Sequence, residues 1–222
     1  MIIAIQVRCD SKRFPRKIFS KVNNKSIIEN IIDNLSVLNL KICLCSTNRK
    51  IDKDIKKISL KKKCFFYGGS KNNVLNRLYN CAKKFNSKNL IRINGDSPLI
   101  SSHLILKAIK YRKKFPQYDI ITNVFPRTFP RGMSVEIIKT DCLKKLNLMK
   151  LTKTNKEHVT KFIYNNPALF KIKNFKLEKD FSNINLSVDT KNDLKFVKSK
   201  QNLFKKVENY KILKSKYFLL WK

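Results

Sequence analysis

IIAIQVRCDSKRFPRK, residues 2–17, decides the reading of this chain. Residues 2–7 form a short apolar run, the pattern of a strand buried on both faces of a parallel sheet. A polar loop follows, running from Arg8 to about Lys25. In an open α/β sheet, ligands bind beyond the carboxyl ends of the strands, which is where Arg8 to Lys17 would lie. This stretch carries Arg8, Arg13, Arg16 and Lys17, with Lys12 as a fifth cation, and Ser11. Such a group can hold a triphosphate through charge-assisted hydrogen bonds. Pro15 restricts the backbone and helps preorganise it. The loop has no glycine, so it is neither a Walker loop nor a dinucleotide fingerprint. A basic loop on its own is also compatible with a solvated connection.

Outward from this loop, apolar periodicity alternates between the two regular types. Ser26 and Glu29 form a capping-box signature ahead of Ile27, Ile28, Ile31, Ile32, Leu35 and Leu38 at helical spacing. Strands are expected at 41–46, 63–67, 89–94 and 119–123, with helices at 50–60, 72–85 and 101–114, the last opened by Ser101 and Ser102. This order predicts an α/β fold with a doubly wound, mostly parallel, Rossmann-like sheet. The second half is less regular and predicts a small irregular lobe. There, strands are expected at 133–138, 170–178 and 185–188. A helix capped by Thr154 and Glu157 should run to about Tyr164, and another should start after Thr190. Residues 1–200 read as one domain and 201–222 as a basic amphipathic tail. The tail would be a helix packed on the core or on a second subunit, or one lying on a membrane surface.

The chain has 222 residues and a formal charge of +35. A charge of that size raises nucleic acid or an anionic membrane as partners. The cations are dispersed, however, with only nine Arg among the 50 basic residues, and Asn and Ile are abundant. This is the imprint of AT-rich codons on solvated faces. The scarcity makes each Arg informative, since its rigid fork suits phosphate or carboxylate. No nucleic-acid motif is recognised, and no specific nucleic-acid partner is expected. The six Cys (9, 43, 45, 64, 81 and 142) include no C-x-x-C, and are expected to be reduced, small apolar residues of a cytoplasmic protein, neither zinc ligands nor disulfides. Cys43 and Cys45 are assigned to opposite faces of their strand. The apolar start is too short for a signal peptide, and no run reaches the roughly 20 residues of a membrane span.

Two further segments carry chemistry. R-I-N-G-D-S-P (Arg92–Pro98) ends an expected strand and presents Asp96, placed to hold Mg²⁺ against a phosphate or to serve as turn chemistry. V-D-T (Val188–Thr190) presents Asp189, a second carboxylate or a helix cap. Asp52-Lys53-Asp54 matches the D-x-D of glycosyltransferases, but falls in an expected first helical turn and reads as structural.

A strand and six motifs then stand in order. A strand is followed by R-x-x-S-x-R-x-P-x-K (from Arg8), G-S-x-x-x-V-L-x-R (from Gly69) and R-I-x-G-D-x-P-L-I (from Arg92). After these come N-x-x-P-R-x-x-P-x-G-x-x-V-E (from Asn123), E-H-V-T-x-x-I (from Glu157) and V-D-T. This order resembles the SpsF-type spore-coat polysaccharide family, itself similar to the cytidylyltransferases that activate acylneuraminate and 3-deoxy-octulosonate sugars. The resemblance runs from residue 2 to about 200. It implies transfer of CMP from CTP to a sugar hydroxyl, with release of pyrophosphate. Arg8, Ser11, Arg13 and Lys17 would bind phosphates, with Arg13 and Lys17 stabilising pyrophosphate. Gly69, Ser70 and Arg77 would help form the nucleotide pocket, and Asp96 and Asp189 would hold Mg²⁺. Arg92, Asn123, Arg127, Glu136, Glu157 and His158 fall where the sugar should sit. An acidic nine-carbon sugar would suit Arg127 and His158, and related enzymes often pair into homodimers. The same fold also serves nucleotidyltransferases and glycosyltransferases with another nucleotide or acceptor. One departure stands out: Asp10 and Arg16 occupy positions where such loops often carry Gly, and Asp10 puts a negative charge beside the phosphates.

Overall fold

The computed structural model describes residues 1–22 and 24–206. The chain runs from β1 (Ile2–Gln6) through a 3-10 turn (Lys17–Phe19) and a small hairpin, β2 (Lys21–Val22) with β3 (Lys25–Ser26), into α1 (Ile27–Ser36). Next come β4 (Lys41–Thr47), α2 (Lys53–Lys61), β5 (Phe65–Gly69), α3 (Val74–Lys84), β6 (Asn89–Asn94) and α4 (Ser102–Lys114). The remainder is β7 (Ile120–Thr122), β8 (Glu136–Lys139), α5 (Thr140–Leu148), α6 (Lys153–Glu157), α7 (Lys161–Asn165), β9 (Ile172–Asn174) and α8 (Lys191–Lys206).

Seven strands form one sheet in the order β5-β4-β1-β6-β8-β7-β9. β1 pairs in parallel with both β4 and β6, and β5 with β4, so these four carboxyl ends face one way. β8 runs antiparallel to β6 and β7. The order reverses at β1, which opens a crevice beyond the carboxyl ends of β1 and β6. The apolar alternation explains the layers. Ile3, Ile5, Leu44, Ile91 and Ile137 pack on one face with α1 and α4, while Ile2, Ala4, Leu90 and Ile138 pack on the other with α3 and α5.

The capping box at α1 forms as its spacing predicts. Ser26 Oγ accepts from the Glu29 N–H at 3.3 Å, and the Ser26 N–H donates to Glu29 Oε2 at 3.0 Å. The Ser26 hydroxyl and the Lys61 ammonium draw the Glu29 carboxyl down to about 2. Because the folded value lies below the unfolded one, near 4.5, its contribution is complete above that value and is lost as the pH falls towards 2. Glu29→Gln should therefore be less stable than the parent at neutral pH, by about 1 kcal/mol. Urea unfolding should show the gap narrowing between about pH 5 and pH 2, and a constant gap would count against this account.

Several expected elements shift. The strand expected at 63–67 begins at Phe65, because α2 closes with Lys63 in the left-handed region (φ 51°) and the Cys64 N–H on the Ser59 carbonyl. Only residues 136–139 of the run starting at 133 are strand, because the Asn123 side chain binds the Met133 carbonyl and the Val135 N–H instead. Residues 170–178 pair only at 172–174. Residues 185–188 form no strand, making instead an isolated bridge between Asn185 and Arg131 and a bond from the Val188 N–H to the Asp96 carbonyl. The helix expected to run to Tyr164 is capped by Thr152 and breaks at 158–160 into α6 and α7. Thr190 does cap α8, exchanging hydrogen bonds with Asp193. The tail is described only as far as Lys206, where α8 ends; residues 207–222 lie outside the described residues.

All six Cys are free, as expected. Cys43 and Cys45, however, share a face and meet Cys81 of α3. Residues two apart on a strand point the same way, so the expectation of opposite faces was in error. Among the described residues no helix is long and apolar enough to cross a membrane.

Candidate active site

The loop after β1 is anchored from below. Asp52 is fully buried and accepts from the Cys9 N–H at 2.8 Å, from Arg49 Nη2 at 2.9 Å and from the Thr47 hydroxyl. Asp54 accepts from Arg16 Nη2 at 2.8 Å. The D-x-D pair is thus structural, as expected, and its task is to hold this loop. Arg16 is corrected as a phosphate candidate. It turns left-handed (φ 55°), points at α2 and lies over the Phe19 ring.

At the centre, chain-distant residues converge. Lys17 Nζ donates to Asp96 Oδ2 at 3.1 Å and to Asp189 Oδ1 at 2.7 Å, and Arg13 Nη2 lies 2.8 Å from Asp189 Oδ2. Gly95 lets Asp96 reach this point. Its N–H donates to the Gln6 carbonyl, and an added Cβ would lie 2.8 Å from that oxygen. The bond between Val188 and the Asp96 carbonyl brings in Asp189. Burial pushes the Asp189 carboxyl up, but Lys17 and Arg13 outweigh it and hold it below its ordinary value. Two carboxylate oxygens within hydrogen-bond reach of one ammonium define a cation position, and their hard oxygens suit Mg²⁺.

Asp10 lies on the other side of the loop. Arg49 Nη1 reaches it at 2.6 Å, Lys71 at 3.4 Å and Arg8 at 3.6 Å. The Arg49 hydrogen bond holds its carboxyl far below the usual range. Asp10 is therefore a neutralised partner within a net-positive cluster. Arg49 and Lys71 were not identified as site residues from the sequence. The rarity of Arg, and the place of Arg49 just past the end of β4, are the signals that point to it.

Gly69 ends β5 and Ser70 opens the turn to α3, but Arg77 is corrected. It is 1 % exposed, its Nη1 donates to the Ser70 carbonyl at 3.1 Å, and it supports the turn from beneath. Ser11 is half-buried within the loop.

Beyond β6 and β8 opens a cavity of about 500 Å³, lined by Arg92, Arg127, Glu136 and His158 among the expected sugar residues. Asn94, Lys161 and Tyr164 line it too and were missed. Arg92 pairs with Glu136 and donates through Nε to Gln6 at 3.1 Å. Tyr164 Oη donates to Glu136 Oε1 at 2.5 Å. Arg127 donates to the Ser134 hydroxyl at 3.1 Å and, among the described residues, has no carboxylate within ion-pair distance. Two expected residues do not line the cavity. Asn123 is fully buried in its backbone-bridging role, and Glu157 pairs with Arg8 at 3.2 Å.

Comparison with known proteins gives the family. The cytidylyltransferase family model matches residues 2–219. The chain is 32% identical over 206 residues to an uncharacterised protein of Methanocaldococcus jannaschii, covering 90% of this chain and 82% of that one. It is 23% identical to the spore coat polysaccharide biosynthesis protein SpsF of Bacillus subtilis, covering 90% and 85%. A cytidylyltransferase structure from Leptospira borgpetersenii superposes with a TM-score of 0.86 at 29% identity, covering 91% and 87%. With the β1 loop, the paired carboxylates and this match over nearly its whole length, the chain belongs to the cytidylyltransferase family.

Proposed function

We propose that this cytidylyltransferase transfers CMP from CTP to an acidic sugar, with Mg²⁺ held by Asp96 and Asp189. The observation that carries the proposal is Lys17 Nζ between Asp96 and Asp189, beside Arg13, with Asp96 two residues beyond Asn94 of the cavity wall. Lys17 marks the position a cation takes, and would turn to the phosphates when the nucleotide arrives. Mg²⁺ held there would neutralise phosphate charge and lower the pKa of the attacking hydroxyl.

The sugar oxygen forms a bond to the α-phosphorus as its proton passes to solvent. The bond from that phosphorus to the bridging oxygen breaks, and pyrophosphate leaves with the electron pair. Arg13 and Lys17 would receive that charge at fixed positions, where preorganised cations stabilise a transition state without reorganising. In the cavity, Arg127 and Lys161 offer cations for an acceptor carboxylate, and His158 lies beside them. Their charge is what supports an acidic sugar over a neutral one, and the resemblance to enzymes acting on surface-glycan sugars agrees with it. Asp10, neutralised by Arg49, does not oppose phosphate binding.

Thermal shifts with CTP, UTP, GTP or ATP, each with Mg²⁺, test the nucleotide. At a hundredfold excess over Kd, CTP should raise Tm by roughly 5–10 °C. A larger shift with another nucleotide, or equal shifts with all four, would overturn the assignment to CTP.

A further inference from the structure

We propose that Cys43, Cys45 and Cys81 form a buried three-thiolate site for one soft divalent ion of the zinc and cadmium class, separate from the nucleotide and sugar sites. The three side chains are fully buried, and their sulfurs lie within 4.8 Å of one another. A metal–sulfur bond of about 2.3 Å in a planar trigonal arrangement sets sulfur–sulfur separations of roughly 4 Å. The cluster therefore needs at most a small contraction, which rotation about the Cα–Cβ bonds can supply.

The donor set selects the ion. Thiolates favour soft metals, and no carboxylate or imidazole belongs to the group. Charge selects it further. Three thiolates and a divalent ion carry a net −1, and a monovalent ion would leave −2. Arg77 lies one turn before Cys81 on the same side of α3, is 1 % exposed, and has an Nε that lacks a hydrogen-bond partner. Its positive charge interacts with Cys45 and compensates the remaining −1. A buried guanidinium that spends one N–H on the Ser70 carbonyl and, among the described residues, leaves its Nε unpartnered is what a site built for an anionic metal–thiolate centre would contain. Loading exchanges three thiol protons, released to the buffer, for one ion, with no change of oxidation state.

The position gives the ion a task. Cys43 and Cys45 sit on β4, which leads to Thr47 and Arg49, and Cys81 sits on α3, which follows the Gly69–Ser70 turn. A metal here would clamp the two elements that carry one side of the nucleotide loop.

The test is to expose tag-free, reduced protein to Cd²⁺ or Zn²⁺ alone, both when folded and during refolding. One ion per chain is expected, with a cadmium–thiolate charge-transfer band and a rise in Tm. Cys45→Ser and Cys81→Ser should abolish the band, and Cys142→Ser should keep it. Should either variant fail to fold, Cys43→Ser serves in its place. Less than half an equivalent bound by the parent under both conditions overturns the proposal, as does a band that survives Cys81→Ser. Neither result bears on CTP binding.

Discussion

An Asp96→Asn enzyme is expected to fold normally and to lose at least about 10³-fold in kcat. The amide matches the carboxylate in shape, so the Gly95 turn, the Val188 contact to the Asp96 carbonyl and the Ser97 hydroxyl contact can all persist. Lys17 keeps its 2.7 Å bond to Asp189, so the loop stays anchored. What changes is the charge on one of the two oxygens that converge on the cation position. A neutral amide oxygen binds a hard divalent ion poorly, and the α-phosphate would face the hydroxyl with one carboxylate fewer to hold Mg²⁺. Pyrophosphate release, with CTP, Mg²⁺ and a panel of keto-acid sugars, measures the loss. Far-ultraviolet dichroism and urea midpoints check that the fold is kept. Turnover within a factor of ten of the parent would remove Asp96 from the mechanism. Lys17→Met makes the complementary case. It leaves Asp96 and Asp189 facing each other without their shared ammonium, so the Asp189 carboxyl should titrate higher than in the parent, where Lys17 and Arg13 hold it down.

The convergence of Lys17, Asp96 and Asp189 was legible in sequence despite separations of 79 and 172 residues. Lys17 opens the 3-10 turn after the β1 loop, Asp96 lies two residues past β6 and Asp189 two residues before α8, and the strand–helix alternation sets where those segments gather. Direction of side chains was less legible. Arg16 sits amid the phosphate-facing cations, yet one left-handed residue turns it onto Asp54. Arg77 matches its motif, yet helical phase places it under the turn, not in the pocket. Asn123 occupies the expected segment, but its amide satisfies two backbone groups that no strand pairs. Such outcomes depend on which backbone groups lack partners, and periodicity carries no record of that. Arg49 and Lys71 were hidden differently. In a chain with 41 Lys and nine Arg, a functional cation looks like its neighbours until the fold brings Asp10 between them. The second half misled most, because short alternating runs such as 170–178 and 185–188 fit a strand and a loop equally well until pairing partners are known.

Glu136→Ala should produce the largest loss of stability, about 3–5 kcal/mol. Glu136 is 2 % exposed and takes Arg92 on one oxygen and the Tyr164 hydroxyl on the other. Truncation leaves the Arg92 guanidinium half-enclosed with only the Gln6 contact, and a buried charge without its partner costs more than the pair contributed. Tyr164 is affected less, because its hydroxyl keeps Thr122 at 2.9 Å. Glu136→Gln separates charge from shape: its amide oxygen can still accept from Arg92 or Tyr164, so the cost should fall between parent and Ala. The same change alters the cavity. Arg92 would then join Arg127 and Lys161 as a cation facing the acceptor space. An anion that fits there should recover part of the lost stability in Glu136→Ala and little in the parent, which distinguishes an uncompensated guanidinium from a simple packing defect. Urea unfolding with and without an acidic sugar or sulfate measures both effects. A cost below about 1 kcal/mol, or recovery equal in the two proteins, would mean that Arg92 finds another partner and that the cavity wall does not depend on this pair.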